Sequence, residues 1–103
     1  MKKRQLVLSA LARADLRYIH AYISEHNPAA ADKFVLDLYR KMHELAELGL
    51  SGVSRNWLKP GLRALSYRDR SVYFRVTDSH IHVVRILHGR QDASPDDFPE
   101  SET

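Results

Sequence analysis

Apolar positions along the chain change rhythm three times, and each rhythm predicts an element. Gln5-Leu6-Val7-Leu8 reads as a short first strand. Ser9 then offers an N-cap oxygen for a helix over Ala10–Glu25, in which Ala12, Leu16, Ile19 and Ile23 recur at helical spacing. Tyr18 and Tyr22 lie one turn apart on a neighbouring face and are expected to pack at the edge of the core. His26-Asn27-Pro28 stops that helix and starts another: proline fits a first helical position, and Asn27 can cap it. The second helix is expected from Pro28 to about Leu48, with Ala31, Phe34, Val35, Leu38, Met42 and Leu45 inward and Gly49 as its stop.

Beyond Gly49 the period falls to two. Leu50–Pro60 reads as a loop anchored by Trp57. Strands are expected over Leu62–Tyr67, Ser71–Thr77 and His80–His88, joined by tight turns at Arg68-Asp69-Arg70 and Asp78-Ser79. The order strand, helix, helix, three strands predicts an α+β fold: an N-terminal strand, a two-helix antiparallel hairpin and a three-stranded antiparallel meander. One domain should span residues 1–92. Residues 93–103, rich in Pro, Ser and acids, should form a flexible tail.

Strict alternation assigns the strand faces. Val72, Phe74, Val76, Val84 and Ile86 should pack on the helices. Tyr73, Arg75 and Arg85, with Arg63 and Tyr67, should line an open, basic face. Arg85 stands among branched aliphatics, where an unpaired guanidinium costs several kcal/mol. Either a carboxylate answers it or its face opens onto a groove.

Composition narrows the class. The chain has 103 residues, 44% of them hydrophobic, and no cysteine, so a disulfide framework or thiolate metal site is excluded. No apolar run approaches the length of a membrane span, which makes a cytoplasmic protein with no membrane partner the expectation. The net charge of +3 is uneven: +2 over residues 1–50, +5 over 51–92 and −4 over 93–103. A basic strand half favours an acidic partner, either nucleic acid or an acidic protein segment.

Among chemical readings, His80, His82 and His88 offer pairs but not the three or four converging ligands that zinc needs, so no metal and no other cofactor is expected. A metal-free RNA cleavage site is the stronger enzyme reading, with Arg63, Arg75, Arg85 and Arg90 on phosphate and His88 moving a proton. Its alternative is that these arginines pair with Asp69, Asp78 or Asp92, or with a partner protein. Phosphate-loop, dinucleotide and nucleophile-elbow motifs are absent.

Four stretches resemble the ParE-type toxins of the RelE/ParE superfamily of type II toxin–antitoxin systems. They are Leu8-Ser9-Ala10-Leu11-Ala12-Arg13-Ala14-Asp15-Leu16, Asn27-Pro28-Ala29-Ala30-Ala31, Pro60-Gly61-Leu62-Arg63 and the closing Val83-Val84-Arg85-Ile86-Leu87-His88-Gly89-Arg90-Gln91-Asp92. The resemblance covers roughly residues 5–92. It implies one of two activities: ParE-like members poison DNA gyrase, and RelE-like members cut mRNA in the ribosome. The cutting branch carries a lysine, two arginines and a tyrosine near the positions of Leu65, Ser71, Gln91 and Phe98, with Arg70 and Arg90 one residue out of register. Phenylalanine has no ionisable proton, so these departures favour the ParE branch, with no catalytic residues. The resemblance also implies a cognate ParD-like antitoxin, DNA gyrase as target with indirect contact to DNA, growth inhibition and plasmid stabilization. Arg63, Tyr73, Arg75, Arg85, His88 and Arg90 are the candidates for binding antitoxin or target.

Overall fold

The computed structural model describes residues 3–48, 52–89 and 92–103. Strand β1 (Gln5–Leu8) leads into helix α1 (Ala10–Ser24) and helix α2 (Pro28–Leu48). Strands β2 (Val53–Ser54), β3 (Arg63–Tyr67), β4 (Arg70–Val76) and β5 (His80–His88) follow, and a 3-10 turn spans Pro95–Asp97. The α+β class, the helical hairpin and the meander are as expected. Gly49, read as the stop of α2, lies outside the described residues.

The caps work as their residue types suggest. Ser9 Oγ accepts the Ala12 N–H at 3.0 Å and donates to Val84 O at 2.7 Å, so one hydroxyl both caps α1 and ties it to β5. Asn27 Oδ1 accepts from Ala30 N at 3.1 Å at the start of α2. His20 Nε2 and Asp32 Oδ1, 2.7 Å apart, bridge the two helices.

The strands form one sheet in the order β1-β5-β4-β3-β2. β1 runs parallel to β5, pairing Gln5 with His80 through Leu8 with Val83; the remaining pairs are antiparallel. β2 falls where the sequence reads as loop. Gly52 makes it possible: at φ +89, an added Cβ would stand 2.5 Å from Ala64 O. Trp57, expected as an anchor, is 71% exposed instead.

Alternation fails at one point in β5. Tyr73 pairs with Arg85 and Phe74 with Val83, which leaves Val84 as the extra residue of a bulge. The bulge resets which face each later side chain meets. Ile81, Val83 and Ile86 join Val72, Phe74, Leu16, Ile19, Leu38 and Met42 in the core under the helices. Val84 and Leu87 join Leu58, Leu62, Ala64, Tyr73 and Phe98 in a second core on the opposite face. The expectation that Val84 packs on the helices is therefore corrected. So is that for Tyr67, which packs on the helix-side core, 6.0 Å from the Phe34 ring.

The face expected to be open is thus apolar and covered. Residues 92–103, whose composition predicts a loosely ordered tail, lie across it with Phe98 only 6% exposed.

Ser9→Ala removes a cap and leaves the buried Val84 carbonyl without this donor. We expect a loss of about 2 kcal/mol in urea unfolding, against about 0.5 kcal/mol for an exposed substitution such as Ser101→Ala.

Candidate functional site

Arg85 has found a carboxylate. Its Nε and Nη2 donate to Asp15 of α1 at 2.9 Å each, a two-pronged pair, and its Nη1 donates to Asp97 O at 2.8 Å. Asp15 also accepts the Ile86 N–H at 2.9 Å. Strand β1 ends opposite Val83, so this carboxylate supplies the acceptor that a neighbouring strand would otherwise give. The bond from Asp15 raises the Arg85 pKa, against the opposing effect of burial. Arg85 is a structural junction between α1, β5 and the tail.

Arg75 is engaged in the same way on the other side. Its Nε and Nη2 donate to Glu102 at 2.5 and 3.0 Å, and its Nη1 donates to Pro60 O at 2.6 Å. Lys59 reaches Glu102 and Pro99 O at 2.8 Å each. Burial pushes the Glu102 carboxyl up, but bonds and charge from Arg75 and Lys59 outweigh it and hold the group below its ordinary range. Tyr73 is buried, its ring edge-on to Phe98 at 5.0 Å between centroids. Arg63 donates to Gly52 O at 3.2 Å, and its buried Nε has no hydrogen-bond partner.

The predicted candidates therefore do not converge on one open surface. Arg75 and Tyr73 lie beneath the tail, Arg85 lies at its edge, and Arg63 turns toward β2. Arg90 lies outside the described residues. His88 stands with Arg85 on the far rim, apart from Arg63, Arg75 and Tyr73, its Nε2 3.4 Å from Asp69 Oδ2.

That rim borders a groove of about 590 Å³ between α1 and the β3–β4 turn. Tyr18 and Tyr22 form one wall, 69% and 55% exposed, with ring centroids 6.5 Å apart and planes 21° from parallel. The packing role expected for these tyrosines is corrected: they face solvent. Arg70 and His88 line the opposite wall. Arg70 is 92% buried by residue area, sits 3.7 Å from Asp69 by its Nε, and makes no hydrogen bond through that atom. The turn itself carries Arg68 at φ 54, a left-handed conformation unusual for arginine. The sequence signal for this site is two tyrosines one turn apart, off the apolar stripe.

Among the described residues, no group of three or more His, Cys, Asp or Glu is placed to hold a metal ion. No described helix is long and apolar enough to cross a membrane.

A two-helix hairpin packed on one face of a small, mostly antiparallel sheet is the architecture of a known class of small toxins. The family model for the ParE toxin of the type II toxin–antitoxin system, parDE, matches residues 6–93. The chain belongs to the ParE toxin family. It is similar to a solved structure of the chromosomal ParDE TA system from P. aeruginosa: 29% identity, TM-score 0.68, covering 84% of this chain and 96% of that one. The toxin–antitoxin complex RelBE2 from Mycobacterium tuberculosis shares the fold at 18% identity and TM-score 0.56, covering 85% and 93%. No curated protein matches the sequence.

Two outcomes follow from the ion pairs. Arg85→Ala strands Asp15 and should cost about 3 kcal/mol, read as a lower urea midpoint. Glu102 has a depressed folded pKa, so its contribution is complete above the unfolded value and drains as pH falls toward the folded one. Glu102→Gln should be less stable at pH 7 and should lose less further stability through that acid window, checked by urea midpoints across it.

Proposed function

We propose that this ParE-family toxin arrests growth by binding DNA gyrase, breaks no bonds itself, and is neutralised by a cognate ParD-like antitoxin. The observation that carries the non-enzymatic reading is Phe98. It stands near the position where the cutting branch has its phenol, and it is buried against Tyr73 with no proton to give or take. Arg85 adds to this, because Asp15 already neutralises it. Likeness to a ParDE system supports the antitoxin partner.

The groove is the contact surface this reading favours. Exposed tyrosines are frequent anchors at interfaces, since a rigid ring covers much area at little entropic cost. Arg70 and His88 line the groove beside them. Arg63, Arg75 and Arg85 serve mainly to hold the domain together, and His88 joins the groove as a rim contact.

Ribosome-dependent mRNA cleavage is the second reading. It draws on Arg70 and His88 lining the same groove, a cation beside a titratable ring. Mapping transcript ends during expression separates the two, because cuts at codon positions would favour cleavage.

Purified protein should inhibit gyrase supercoiling in vitro, and no inhibition at high micromolar excess would contradict the reading. Tyr18→Ala with Tyr22→Ala should weaken inhibition at least about tenfold while shifting folding stability by only about 0.5 kcal/mol each.

A further inference from the structure

The groove makes no use of the two histidines at the start of β5. Ile81 is buried in the helix-side core, so strand alternation puts His80 and His82 together on the opposite face. Residues so spaced on one strand face stand about 7 Å apart, close enough for two imidazoles to turn onto one ion. Both are half-buried, and with Val7 and Thr77 they line an open hollow of about 320 Å³. The tail covers the neighbouring part of this face but does not line the hollow.

The backbone beneath the pair is held on both sides. His82 pairs with Val7 in β1 and with Arg75 in β4. At the β4–β5 turn, His80 N donates to Thr77 Oγ1 at 3.0 Å and Thr77 N donates to His80 O at 3.0 Å. The rings keep the atoms a ligand needs. His80 Nδ1 lies 2.7 Å from Ser79 Oγ, and when that nitrogen donates to the hydroxyl, Nε2 carries the free lone pair. The His82 ring makes no hydrogen bond among the described residues. Nearby cations are already engaged: Arg75 pairs with Glu102, and Arg4 Nε donates to Thr77 O at 2.8 Å.

We propose that His80 and His82 form an exchangeable binding site for a first-row divalent metal ion of the Cu²⁺, Ni²⁺ and Zn²⁺ kind. Imidazole nitrogen suits these ions, whereas Ca²⁺ and Mg²⁺ want oxygen ligands and no carboxylate lines the hollow. A structural zinc centre needs four protein ligands and a catalytic one three. Two imidazoles hold an ion more loosely, with its remaining positions on water and open to a further donor. Such a donor can come from a partner, because the hollow lies at the β1 edge of the sheet and opens to solvent. Ser79 acts as the outer group that orients a ligating histidine. The commoner role of a surface histidine is to face a carboxylate, as His20 faces Asp32 and His88 faces Asp69. Neither His80 nor His82 has such a partner among the described residues. The inference rests on neither gyrase nor the antitoxin.

The test titrates the full chain with Cu²⁺ and with Zn²⁺ by calorimetry at neutral pH in a non-coordinating buffer. One site per chain is expected, and pulsed EPR of the Cu²⁺ form should count two imidazoles on the ion. His80→Gln and His82→Gln should each weaken binding at least about tenfold and lower that count to one, with a cooperative melt confirming the fold. His26→Gln and His43→Gln should bind as the unaltered chain does. Metal should raise the Tm of the unaltered chain and leave that of the double variant His80→Gln, His82→Gln where it is. Unchanged affinity in the single variants, or one imidazole in the unaltered chain, would overturn the proposal. Loss of binding in His26→Gln or His43→Gln would overturn it too, by placing the ion elsewhere.

Discussion

The structure depends on how β5 is satisfied where it outruns β1. The parallel pairing stops at Leu8 and Val83, yet β5 continues to His88. Unpaired strand edges invite foreign strands and leave polar groups unmet. Here the start of α1 supplies the missing partners: Ser9 takes the Val84 carbonyl and Asp15 takes the Ile86 N–H. Arg85 then neutralises Asp15, and its third contact holds the tail through Asp97 O. One carboxylate thereby couples a helix, a strand edge and the C-terminal segment.

The bulge at Val84 lies within this junction, and it explains why the molecule has two cores. By shifting the phase of β5, it sends Ile86 toward the helices and Leu87 away from them. The far face becomes apolar and has to be covered. The tail covers it, and Arg75 and Arg85, expected to face a partner there, hold the tail instead. What remains outward is the rim of the other side, where the tyrosine pair of α1 faces Arg70 and His88 across a groove.

Much of this was legible in the sequence. Helical spacing, Ser9 and Asn27 as caps, and the turns between strands define the elements closely, because each follows from local chemistry. The phase of β5 was not legible, since a bulge depends on cross-strand geometry and leaves Ile81 to Leu87 looking like plain alternation. Among its aliphatic neighbours Arg85 needs either a carboxylate or a groove, but Asp15 lies 70 positions away and only the fold brings it near. The tail misled for a related reason: its acid- and proline-rich composition signals disorder, while Phe98 and Glu102 gain their value only against Tyr73 and Arg75. Strand β2 was missed because two residues carry too little pattern to read.

Family membership fixes the class of protein, and the buried Phe98 and the paired Arg85 shape the proposed mode of action. At the α1–β5 junction, Arg85 serves the fold before it serves any partner. A double-mutant cycle on Asp15→Asn and Arg85→Gln, read by urea unfolding, tests this most directly. A coupling of about 2 kcal/mol between the two positions is expected. A coupling near zero, with each change costing little alone, would contradict it and return Arg85 to the exposed surface.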